Sequence, residues 1–327
     1  MIRFGDKRGT ALITSLLITA VMASVSVGLS QSLFYAIERS GQIGHRDAAY
    51  WYALGARDFA ESALLRSLPR NGEPMRPGDA WNQGARQFDI ENGALTGEVR
   101  DAQNCFNLNS LVRGSEDGFV EDPDAGERFI SLLQALNIPS IDAQAIAAQA
   151  TDWVDTDARP AARGAEDSVY SARPIPHRAA NNLFVEREEL RALPAVTPML
   201  YGVLAPFVCA LPETNRTTLN LNTLRPEQAA LLAAALDNRL SRSDAALVLS
   251  RRPTTGYETV AEFWTDPLLA ALEWPVEERP EFGLSTRYFE IHVDVRQGDS
   301  VYRLTELVEI MSGSRLVRHQ QRFGVFS

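Results

Sequence analysis

Lysine is nearly missing from this chain of 327 residues: Lys7 is the only one, and the remaining positive charge is arginine. Lys and Arg total 32 against 42 Asp and Glu, a net charge of −10. A chain of that sign repels phosphate backbones, which argues against nucleic acid as a partner. Cysteine is scarce as well. Cys105 and Cys209 are too few for a disulfide scaffold and have no zinc-ligand spacing. By residue type alone, two buried free thiols and one disulfide both remain open. The four histidines, His45, His177, His292 and His319, are scattered, with no His-Glu-x-x-His pair. No Gly-x-Ser-x-Gly nucleophile turn is present. What remains for an enzyme is paired carboxylates of the glycosidase kind.

Charge is also absent, locally, from Thr10 to Ile37. That run exceeds the ~20 residues that cross a bilayer core. Arg3, Lys7 and Arg8 precede it, so the positive-inside rule holds residues 1–9 in the cytoplasm and sends the remainder outward. Three readings fit. A secretory signal would end near VMASVS. A signal anchor would keep the run uncut. The third places a processing site before the run, where Lys7-Arg8-Gly9 abuts it in the manner of a type IV prepilin leader. The residues after the run favour its retention. Residues 38–68 continue with Ala49, Tyr52, Ala53, Ala56, Ala60, Ala63 and Leu64 at helical spacing, and only Pro69 begins a loop.

The rest has an ordinary globular make-up, 45% hydrophobic and 23% charged, enough for two or three compact units. Residues 86–101 read as a hairpin turning at Glu91-Asn92-Gly93. In 287–296, Phe289, Ile291, Val293 and Val295 alternate with Glu290, His292, Asp294 and Arg296, the period of a half-buried strand. Turns at 297–299 and 312–314 then bound strands over 300–311 and 315–325, for which sequential antiparallel pairing is the economical topology. Between the two β regions, 124–136, 142–154, 186–193, 226–240 and 243–251 are predicted helices, with Thr223 and Ser241 as start signals. The fold class expected is α+β: a long N-terminal helix on an antiparallel sheet, with a helical domain inserted between strands. Asn-Leu-Asn occurs twice, at 107–109 and 220–222, each time ahead of a helical segment. The second copy resembles a helix-hairpin-helix opening. Its hairpin reads Asp237-Asn238-Arg239, without the glycines that offer backbone amides to phosphate.

Asp152, Asp155 and Asp157, followed by Glu166 and Asp167, concentrate hard oxygen ligands in one loop, which suits calcium. The spacing is not that of an EF-hand. By chemistry alone, helix caps, pairs with Arg159 or Arg163, and solvated loop charge account for them equally well. Glu121, Asp122 and Asp124 make a second acidic loop.

The leader and helix, FNLNSL at 106–111, DWVDTD at 152–157, GAEDSVY at 164–170, NLFVEREEL at 182–190, VCALP at 208–212 and NLNT at 220–223 together resemble the K-type minor pseudopilins of the type II secretion system, in family order over nearly the whole chain. The resemblance implies a non-catalytic subunit that joins I- and J-type minor pseudopilins and other pseudopilins at the tip of a periplasmic fibre. Such a subunit would prime that fibre and support export of folded proteins through an outer-membrane channel. Residues 1–9 would be the leader, cut by a prepilin peptidase between Gly9 and Thr10, with Thr10 then N-methylated. Residues 10–37 would be the inner-membrane span and 38–105 the first pilin-like part. Residues 106–284 would be the inserted helical domain in two SAM-like halves, 106–215 and 216–284, and 285–327 the closing strands. The usual Glu at the fifth mature position is Thr14 here, as in that family. Family members bind calcium, which favours a structural ion at Asp152, Asp155, Asp157, Glu166 and Asp167. Export from the cytoplasm favours a disulfide between Cys105 and Cys209.

Overall fold

The computed structural model describes residues 7–69, 73–116 and 118–324. Helix α1, Lys7–Ser67, is continuous for 61 residues, about 92 Å at 1.5 Å per residue. From Thr10 to Ile37 it is exposed and uncharged, and it is the one described helix long and apolar enough to cross a membrane. Gly41 and Gly44 do not interrupt it. Its second half lies on a five-stranded sheet, β1 (Arg86–Ile90), β2 (Gly93–Asp101), β3 (Tyr288–Gln297), β4 (Ser300–Met311) and β5 (Arg315–Phe323), in the order β1-β2-β3-β4-β5. Every pairing is antiparallel. The alternation in β3 sorts its faces as expected: Phe289, Ile291, Val293 and Val295 are fully buried, in one cluster with Ala49, Ala53 and Leu64 of α1. Burying each large aliphatic there contributes about 1.5–3 kcal/mol.

The sheet has two unlike ends. At the end nearer the apolar half of α1, the β1–β2 and β3–β4 turns interlock, Gly298 N donating to Asn92 O at 3.0 Å. Gly93 is required there, because a Cβ would sit 1.8 Å from Arg296 O. At the far end, the chain leaves after Asp101 and returns at Thr286. Asp101 ties both crossings: it accepts from Gln103 N at 2.8 Å, Thr286 Oγ1 at 3.0 Å and Thr223 Oγ1 at 2.5 Å. Burial pushes its carboxyl up, and these donors oppose that.

The segment between the crossings is helical, with a core of its own. Helices α2 (Pro123–Ala135) and α3 (Ser140–Val154) form its first hairpin, and α4 (Ala229–Ala235) and α5 (Arg242–Ser250) the second. Asp122 and Ser241 cap α2 and α5 through Ala125 N and Asp244 N. The predicted helix over 226–240 is shorter than expected, because Asp237 and Asn238 adopt positive φ and turn the chain. The segment 187–192 is a 3-10 helix.

The Asn-Leu-Asn echo is structural. Asn109 donates to Phe184 O and Leu211 O, at 2.9 and 2.8 Å, and accepts from Phe184 N. Asn222 donates to Met75 O and Tyr257 O, at 2.8 and 2.9 Å, and accepts from Tyr257 N. Each buried amide is thus satisfied by backbone on both sides, and each half is closed by the same clamp. Arg322 of β5 reaches Glu188 at 3.1 Å, and Arg287 pairs with Glu213, so the inserted domain is also fastened laterally to the sheet.

Candidate metal centre and helix face

The end of α3 and the loop after it build an acidic cluster. Asp152 and Asp155 lie one helical turn apart and are buried, as is Glu166. Oxygen atoms from Asp155, Asp157 and Glu166 lie within 4.8 Å of one another. Asp155 Oδ1 and Glu166 Oε1 are buried without a hydrogen-bond partner, as is the Tyr170 hydroxyl. Asp152 stands beside them but is otherwise engaged, accepting from Ala161 N at 3.1 Å. Gly164 permits that loop path, since a Cβ would fall 1.8 Å from Asp152 Oδ2.

Asp167, grouped with these residues by sequence, turns away. Its Oδ1 accepts from Ala179 N at 3.0 Å, and Arg178 lies 3.8 Å from Oδ2. Asp122 is spent as a helix cap. Glu121, from the second acidic loop, faces the first closely enough to raise Asp152 and Asp155. The Phe119 backbone bonded to Thr156 brings the two loops together. Sequence spacing carries no sign of that approach.

Burial, then the neighbouring carboxylates, push Asp155 and Glu166 each up to about 7 and Asp152 to about 6. Crowded anions with orphaned buried oxygens are what a hard divalent cation corrects, by supplying charge and accepting lone pairs at once. The donor set, all carboxylate, fits calcium better than a softer metal. The imidazole of His177 stays out of the carboxylate group and packs on Tyr170, with ring centroids 5.1 Å apart.

Cys105 and Cys209 are joined as a disulfide, with Cα atoms 5.8 Å apart, where Phe106–Asn107 pairs in parallel with Val208–Cys209. The bond closes the first half of the inserted domain at its base.

At the other end, Gly9 and Thr10 lie within α1, and residues 1–6 of the expected leader fall outside the described residues. Thr14 Oγ1 donates within its own helix, to Thr10 O or Ala11 O, each 3.0 Å away. Beyond the apolar run, α1 leaves a ridge uncovered. Ile43, Trp51 and Phe59 are 53%, 68% and 59% exposed, with Gly55 open between the last two. Phe88 of β1 extends the ridge, its ring 6.4 Å from that of Phe59.

Comparison with known proteins decides the family. The family model "Type II secretion system (T2SS), protein K" matches in two parts, residues 104–213 and 219–285. Type II secretion system protein K of Pectobacterium carotovorum is 32% identical over 97% of both chains, and that of Aeromonas hydrophila 33% identical over 94% of this chain and 95% of its own. This chain belongs to the protein K family of the type II secretion system. Among solved structures, a chain from the GspK-GspI-GspJ complex of enterotoxigenic Escherichia coli matches with a TM-score of 0.76 and 30% identity, over 88% of this chain and all of that one. The boundary between the two family-model matches falls between the two asparagine clamps, at residues 213–219. As a protein K, the chain is a pseudopilin: a single apolar spine, a sheet and an inserted helical domain, in a family of structural rather than catalytic proteins.

Proposed function

We propose that this pseudopilin occupies the tip of the periplasmic pseudopilus together with I- and J-type partners and primes its assembly. The observation that carries the reading is Thr14. A carboxylate in the span costs about 2.5–3.5 kcal/mol unless a partner neutralises it. The natural partner is the amino terminus of the subunit ahead in the fibre. Thr14 makes no such demand, because its hydroxyl is satisfied one turn back. A subunit with nothing ahead of it needs nothing more. The inserted domain adds a steric argument, since it extends from the membrane-distal end of the sheet, beyond Asp101 and Thr286, where a further subunit would stack.

The proposed life history starts with a prepilin peptidase cutting between Gly9 and Thr10 on the cytoplasmic side and methylating the new terminus. The apolar half of α1 then anchors the protein in the inner membrane, with the sheet and inserted domain in the periplasm. Asp155, Asp157 and Glu166 would hold a structural calcium, with Asp152 supporting the loop. Exported substrates or the outer-membrane channel would meet the inserted domain.

Intact mass and N-terminal sequencing of protein purified from membranes test the processing step. The expected chain starts at Thr10 with one added methyl group. A chain starting beyond Ile37 would remove the spine and the reading with it.

The ridge on α1 is the proposed seat of the I-type partner. Two large side chains flanking an open glycine admit a neighbouring helix closely. The double variant Trp51→Glu, Phe59→Glu should lose co-purification with the I- and J-type proteins while its melting temperature stays within a few degrees, because neither side chain is in the core. Intact trio formation by that variant would place the partner elsewhere.

A further inference from the structure

The α1-facing side of β4 breaks its apolar run once. Leu304 and Val308 are buried against the helix, and between them Glu306 is 0% exposed. It stands opposite Ile291 of β3 and Gln321 of β5. Neither of its carboxylate oxygens receives a hydrogen bond from a donor. The guanidinium beside it, Arg318 of β5, is 3.6 Å away through Nε and already committed. Arg318 Nε and Nη2 donate to both oxygens of Glu61 on α1, at 2.6 and 2.7 Å. Asp58 Oδ1 lies a further 3.7 Å from Arg318. Arg57 in turn is paired with Asp58, donating at 3.0 and 2.7 Å.

The charged groups facing Glu306 are therefore Arg57, Asp58 and Glu61 from α1 and Arg318 from β5; β3 offers the apolar Ile291. Three carboxylates meet two guanidiniums. Fully ionised, the set leaves one negative charge inside the helix–sheet core with no donor, an arrangement proteins avoid by protonation. Burial and the adjacent Glu61 push the Glu306 carboxyl up to about 7.

We infer that Glu306 carries a proton directed at Glu61, and that this proton fastens α1 to the sheet and loosens the helix when it leaves. In the fastened state the Glu306 carboxyl donates to a Glu61 oxygen, and Arg318 neutralises the single charge of the pair. Loss of the proton to solvent leaves two adjacent carboxylates on one guanidinium, and their repulsion acts directly between β4 and α1. The affected turn carries Phe59, so the seating of the exposed ridge changes with it.

The test is thermal melting of the full-length protein in detergent, with calcium in excess so that the acidic loop stays ionised throughout. Wild type and Glu306→Gln are compared at about pH 5.5 and about pH 8. Glutamine keeps a permanent donor toward Glu61. A folded carboxyl raised above its unfolded value stabilises the native state at low pH, and that stability is lost as pH rises through the folded value. The expected result is a wild-type melting temperature that falls by several degrees more than the variant's across this range, with the variant the more stable at pH 8. Equal slopes, or a variant that loses stability equally at both pH values, would overturn the inference. If the variant does not fold, infrared titration of the wild type decides. A carboxylic acid carbonyl band, present with calcium bound and disappearing on the way to pH 8, supports the protonated Glu306, and its absence at pH 5.5 overturns it.

Discussion

Replacing both cysteines with serine is expected to lower the unfolding free energy by roughly 4–5 kcal/mol. The estimate follows from the loop. Cys105 and Cys209 are 104 residues apart in sequence, and a cross-link over such a span removes much of the freedom of the unfolded chain. The loss should be local. The bond closes the base of the first half of the inserted domain, whereas the sheet and the second half have their own clamps in Asp101 and Asn222. Urea unfolding of wild type, of wild type under reductant and of Cys105→Ser, Cys209→Ser measures the cost. Hydrogen exchange should then place it in residues 106–209. A difference under about 1 kcal/mol would mean that native packing between Phe106–Asn107 and Val208–Cys209 holds the base closed without the bond.

Calcium is expected to produce the second large effect, and to change the sign of a pH dependence. In metal-free protein, Asp155 and Glu166 sit near 7 and Asp152 near 6, well above ordinary carboxylates. The native state then binds more protons than the unfolded state between about pH 4 and pH 7, so stability is highest at the acid side and drains away as pH rises. A divalent cation needs those carboxylates ionised. Its stabilisation therefore grows over the same interval, reaching about 4 kcal/mol at a thousandfold excess over its dissociation constant. Melting at pH 8 with calcium and with chelator should differ by many degrees, and at pH 5 by little. Asp155→Asn separates the cation from mere charge relief: it should stabilise the metal-free protein at pH 8 and abolish the response to calcium. A wild-type melting temperature unmoved by calcium at pH 8 would reduce the cluster to solvated loop charge.

Much of the framework is legible because local periodicity encodes it. Alternation and turn residues place the strands at 287–296 and 300–311 to within a residue, since a half-buried strand must repeat every second position. The helices over 124–136 and 142–154 are readable from spacing for the same kind of reason. The helix predicted over 226–240 runs long because the Ala-rich periodicity carries it through the hairpin position, where Asp237 and Asn238 turn the chain through positive φ. Within the acidic loop, residue type announces hard ligands. It cannot tell two adjacent acids apart in role: Glu166 points inward to Asp155, and Asp167 outward to Ala179 N.

By itself the sequence determined the spine, its apolar half, the leader-like start, the strand faces and the family, because each of these is written in neighbouring residues or in motif order. The tertiary structure alone decided which carboxylates converge, that Glu121 approaches Asp155, that two distant asparagines clamp equivalent backbone segments, and that Glu306 is sealed between β4 and α1 beside Glu61. Those depend on where segments separated by tens or hundreds of residues come to rest. Burial and the field of neighbouring charges, which set the chemistry of such groups, exist only once the packing is complete.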